Sequence, residues 1–78
     1  MNGLTPENKK KYLHSGLALN RFEVMDILPQ KNGKAVIIML SKDAENVAPW
    51  YVQYCGSGKY FRRCGEMMKY ISDRHFIY

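Results

Sequence analysis

Lys31-Asn32-Gly33-Lys34 stands immediately before the longest uninterrupted apolar run of the chain, Ala35 to Leu40. That junction constrains the fold more than any other feature. Asn-Gly tolerates the two positive φ angles of a type I′ turn. The run that follows, AVIIML, is apolar at alternate and intervening positions alike, as in a strand covered on both faces. A tight turn in front of such a strand needs a partner strand behind it. The spacing therefore predicts a hairpin of strands over about Arg21–Leu28 and Lys34–Ser41, the second of them central in its sheet. Leu17, Leu19, Phe22 and Met25 also fit helical spacing, so the extent of strand within 17–28 stays open at this point.

Two helices are predicted at the ends of the chain. Leu4-Thr5-Pro6-Glu7 reads as a helix start. Thr5 serves as N-cap, Pro6 fits the first helical position, and Glu7 lies at the positive end of the dipole. This helix is expected to reach about His14 and stop at Gly16, anchored only by Tyr12 and Leu13. The second helix is expected from about Cys64 to Arg74. Cys64, Met67, Met68, Ile71 and His75 repeat at i, i+3, i+4, i+7 and i+11, one stripe facing a core.

Between them, Lys42–Ala48 reads as a polar connection with room for one helical turn, closed by Pro49. Trp50–Cys55 alternates cleanly, with Trp50, Val52 and Tyr54 on one face and Tyr51, Gln53 and Cys55 on the other. Gly56-Ser57-Gly58 is expected as a tight loop, and Lys59–Arg62 as a returning strand. The expectation is a small antiparallel sheet of three to four strands, with a C-terminal amphipathic helix packed on one face and a short N-terminal helix. Helices on one face of such a sheet make an α+β domain.

A chain of 78 residues accommodates one domain, 1–78. Its 46% hydrophobic and 24% charged residues exclude a disordered chain. Six apolar residues in a row fall far short of the roughly 20 that span a bilayer, so no membrane association is expected. Polar residues and lysines follow Met1 in place of an apolar signal region, so a cytoplasmic protein is expected. In the cytoplasm Cys55 and Cys64, too few for a disulfide framework, are expected to be thiols.

Several familiar chemistries are tested and fail on spacing. Gly56-Ser57-Gly58-Lys59 resembles the end of a phosphate loop, but Gln53 stands where the first glycine belongs and Tyr60 replaces the hydroxyl residue. Cys55, Cys64, His14 and His75 are zinc-ligand types, yet their spacing matches no common finger. A Cys–His nucleophile pair lacks an oxyanion loop and enough chain to wall a pocket. No catalytic activity, cofactor or metal is expected.

What remains is Pro49–Arg63, PWYVQYCGSGKYFRR. It holds five of the ten aromatic residues of the protein, interleaved with Lys59, Arg62 and Arg63. A formal charge of +5 draws polyanions and acidic protein surfaces alike. Rings that stack on bases beside cations that neutralise phosphates make a nucleic-acid surface. The same rings also pair across strands for stability alone. The expected function is a non-enzymatic basic binding module for DNA or RNA. Tyr51, Lys59, Tyr60, Arg62 and Arg63 are its contacts, and the basic run Lys9, Lys10 and Lys11 supplements them. The alternative is a protein-binding regulator or inhibitor that uses the same aromatic patch or an edge strand. An exposed edge in so small a sheet also admits a homodimer.

Overall fold

The computed structural model describes residues 3–13 and 19–76. The order of elements is α1 (Pro6–Tyr12), β1 (Phe22–Pro29), β2 (Ala35–Ser41), β3 (Trp50–Tyr54), β4 (Ser57–Phe61) and α2 (Cys64–Asp73). The four strands form one antiparallel sheet in sequence order, and the architecture is α+β.

β2 is interior to the sheet, and Val36, Ile37, Ile38 and Met39 are all buried. Such a run requires cover on both sides, and both are covered. On one side Val36, Ile38, Leu28, Val52 and Phe61 pack against Met67 and Ile71 of α2. On the other, Leu13, Leu19, Phe22, Val24 and Tyr51 surround Ile37 and Met39. The residue that ends α1 therefore packs opposite α2, and the expectation of helices on one face is corrected. A two-sided sheet buries apolar surface that a one-sided sheet of this length would leave wet.

α1 starts as expected, with the Thr5 hydroxyl accepting from the Asn8 N–H at 3.1 Å. It stops at Tyr12, with Leu13 extended as its cap; His14, Gly16 and Leu17 lie outside the described residues. In α2 only Met67 and Ile71 are buried, while Cys64 and His75 are exposed. The stripe is thus shorter than its periodicity, because the helix ends at Asp73 in a left-handed cap. His75 has φ +58°; its N–H donates to Ser72 O at 3.0 Å, and Phe76 N–H to Ile71 O at 3.2 Å. That pair of bonds is a Schellman motif, and it turns Phe76 back onto Tyr54, with ring centroids 4.8 Å apart.

Both hairpins differ from expectation, in opposite ways. At Lys31–Gly33 only Gly33 has positive φ, at +84°. Gly33 N–H donates to Gln30 O at 3.2 Å, and Gln30 N–H to Lys34 O at 2.8 Å. This is a three-residue loop closed by a left-handed glycine, not a type I′ turn. Two successive positive φ angles occur instead at Cys55 (+52°) and Gly56 (+79°). They join Tyr54 directly to Ser57, so β4 begins two residues earlier than expected and ends at Phe61. The connection 42–48 holds no helical turn. Asn46 N–H closes a β-turn onto Asp43 O at 3.1 Å, and the Asp43 and Asn46 side chains accept from Glu45 and Ala48 N–H.

β1 carries one irregularity that matters for the site. The register shifts between Val24 and Asp26, so that Met25 bulges and Phe22 pairs with Ser41. Beyond the bulge, Lys42 N–H donates to Arg21 O at 3.0 Å.

Candidate nucleic-acid interface

The alternation of β3 divides the aromatic residues as expected. Trp50 and Tyr54 pack with Val52 on the α2 side, and Tyr51 belongs to the opposite face. Tyr51 pairs with Tyr60 across β3 and β4, with centroids 4.7 Å apart. Phe22 stacks on Tyr51 at 5.4 Å and reaches Tyr60 at 6.4 Å. β1 and β4 are the outer strands of a four-stranded sheet, so their backbones are about 14 Å apart. The rings of Phe22 and Tyr60 therefore lean inward across Tyr51 to close a three-ring cluster.

The centre of that cluster is not free for a ligand. Tyr51 is half-buried, and its ring crosses Gly58, where a Cβ would overlap it. Burial, and secondarily the neighbouring Tyr60 phenol, hold its hydroxyl above the ordinary tyrosine range. Tyr60 differs: 55% of its surface is exposed. It stands at a cleft of about 450 Å³ lined also by Arg21, Phe22, Ser41, Lys42, Asp43 and Asn46. Such a cleft offers a ring face for a base, two cations for phosphate, and a carboxylate and an amide for polar edges.

The other expected contacts fall in three places. Arg62 and Arg63 are exposed and follow β4 at the same end of the sheet. Lys59, paired with Val52, lies on the α2 side, its ammonium 5.1 Å from the Tyr70 ring and 5.8 Å from Phe61. It therefore does not share a face with Tyr51 and Tyr60. Lys9, Lys10 and Lys11 form the last turn of α1. Lys11 lines a separate cleft with Gly33, Lys34, Cys55 and Gly56, at the hairpin turns. The strands run between that end and Arg62, so the lysine run and the arginine pair occupy opposite ends of the sheet.

Arg21 and Lys42 are the residues that sequence reading missed. Counting outward from the Lys31–Gly33 turn places Arg21 opposite Asp43, as a neutralised pair. The bulge at Met25 shifts the register by one residue and sets Arg21 beside Lys42 instead.

Cys55 and Cys64 are both exposed free thiols. Among the described residues no three His, Cys, Asp or Glu side chains converge as metal ligands, and no helix is long and apolar enough to cross a membrane. Comparison with protein-family models, curated proteins and solved structures finds no match to this chain.

Proposed function

We propose that the protein is a non-enzymatic nucleic-acid-binding module of the cytoplasm that holds a single strand, DNA or RNA, across the Tyr60 end of its sheet. The observation that carries this reading is the exposed Tyr60 ring at the mouth of a cleft lined by Arg21 and Lys42, with Arg62 and Arg63 immediately after it in the chain. A base stacks on Tyr60, and the four cations neutralise the phosphates on either side. Tyr51 acts by holding the Tyr60 ring in place, and Lys59 faces away from the strand.

Fluorescence anisotropy with labelled oligonucleotides across a salt series tests the proposal. Tyr60→Ala should weaken single-strand binding by about 1–3 kcal/mol. The double change Arg62→Ala with Arg63→Ala should weaken all sequences alike and lower the salt slope by about 1 per lost phosphate contact. Changing Lys9, Lys10 and Lys11 together to Ala should matter less, because they lie at the far end of the sheet. Wild-type protein that binds neither DNA nor RNA at low salt would sink the reading.

A further inference from the structure

The two edges of the sheet are not alike. On β1, every second residue turns its backbone groups outward, and at Ile27 these are already engaged. The Ile27 N–H donates to Asp26 Oδ1 at 2.8 Å. Gly3 lies so close over the Ile27 carbonyl that a Cβ there would collide with it, and its own N–H donates to the same Asp26 oxygen at 3.0 Å. Asn8 Nδ2 donates to Gly3 O at 2.9 Å and ties this strap to α1. Pro29 has no N–H to offer, and the bulge at Met25 bends the strand. Strap, proline and bulge are the devices by which proteins close an edge.

β4 has none of them. The Cys55–Gly56 turn makes Tyr54 and Ser57 a hydrogen-bonded pair, so alternation gives the same status to Val52 with Lys59 and Trp50 with Phe61. Gly58 and Tyr60 then direct N–H and C=O away from the sheet. Residues 57 to 60 are all exposed. Along this edge lie Lys59, Arg62 and Arg63, with the Arg74 guanidinium also over the Tyr70 ring, 5.2 Å from its centroid. Glu66 is the acidic residue nearest in sequence, in the first turn of α2. The one ion pair among the described residues joins Lys69 and Asp73, so none of these four cations is neutralised by a carboxylate.

We propose that β4 is a strand-addition edge that takes an extended, acidic segment of a partner protein as a fifth strand. Main-chain bonds to Gly58 and Tyr60 would supply affinity, and acidic side chains on one face of the added strand, meeting Lys59, would supply selection. A second copy of this chain is the poorer occupant. Antiparallel pairing of the five-residue β4 with itself centres Lys59 on its own counterpart, and like charges directly opposite are destabilising. This inference does not rest on the nucleic-acid reading, since it turns on the backbone edge and Lys59, which take no part in the Tyr60 cleft.

The test is amide hydrogen exchange and chemical-shift mapping on the full chain, titrated with a short peptide of alternating Glu and Val. In the free protein the Gly58 and Tyr60 amides should exchange fast while Lys59 and Phe61 are protected. At saturating peptide Gly58 and Tyr60 should gain about tenfold protection or more. A matching peptide of alternating Lys and Val, and the variant Lys59→Glu with the acidic peptide, should each bind about tenfold more weakly or worse. Tyr60→Pro, which removes an outward N–H, should abolish binding, whereas Tyr60→Val, which keeps it, should bind. If Tyr60→Pro fails to fold, the exchange data decide alone. Three results would overturn the proposal. The acidic peptide could leave both amides unchanged at about 1 mM, a concentration that detects even weak complexes. Its shifts could map to Arg21 and Lys42, or protection could arise without peptide and rise with protein concentration, the mark of a second copy.

Discussion

The Tyr51 ring lies across Gly58, the diagonal neighbour on the adjacent strand, so closely that the glycine has no room for a side chain. Gly58 has no positive φ, so it is retained for space and not for backbone freedom. An aromatic ring covering a strand glycine compensates for the side chain the glycine lacks. Here that contact also sets where Tyr51 sits, and Tyr51 in turn supports Tyr60.

Gly58→Ala should therefore destabilise the fold by about 1–3 kcal/mol, the usual range for forced overpacking. The cost should largely disappear in a Tyr51→Ala background. Urea melts of the two single variants and the double variant give the coupling directly. Additive effects would mean that the ring does not occupy the space over Gly58.

Cys55 carries φ +52° at the first position of a two-residue turn. A side chain there strains the left-handed conformation, and Asn is the residue that tolerates it best ahead of Gly. Cys55→Asn should raise the midpoint of thermal unfolding, with a gain of up to about 1 kcal/mol. Cys55→Val should lower it.

The α2 cap makes the same argument at the other end of the chain. His75 stands at φ +58° where glycine is the usual residue. His75→Gly should stabilise by up to about 1 kcal/mol, because it keeps both cap hydrogen bonds and removes the Cβ clash. Deleting the Phe76 ring with Phe76→Ala should have the opposite sign, since that ring packs on Tyr54. Thermal melts monitored by circular dichroism measure both.

Alkaline pH should weaken the protein through Tyr51. Its hydroxyl is held above the ordinary range first by burial and then by Tyr60. The unfolded chain releases that proton near pH 10, while the folded state retains it to higher pH. The contribution is thus present in full below about pH 10 and is lost as pH rises through the folded value. Tyr51→Phe should make stability fall less steeply above pH 10 in denaturant melts run along a pH series. An absorbance titration of the wild type, compared with that of Tyr51→Phe, should show the Tyr51 phenol ionising above the ordinary tyrosine range.

Local chemistry determined a definite share of this structure. The Thr5-Pro6-Glu7 cap, the turn before Ala35, the burial of AVIIML, the alternation of Trp50, Val52 and Tyr54 against Tyr51, and Met67 with Ile71 on one helical face are all legible in the chain. Each rests on residues within a turn or two of one another, where capping, φ preference and period act directly. Tertiary contact decided the rest. Nothing near Met25 marks a bulge, yet that one residue sets Arg21 beside Lys42 and gives the Tyr60 cleft its charge. Lys59 alternates with Tyr60 along β4 and so takes the opposite face, but which face that is depends on its pairing with Val52, which turns the ammonium onto Tyr70. Gly3 closes one edge of the sheet by reaching Asp26, 23 residues away, and leaves β4 as the open edge. Register, strand order and edge cover depend on which distant segments meet, and no local preference encodes that.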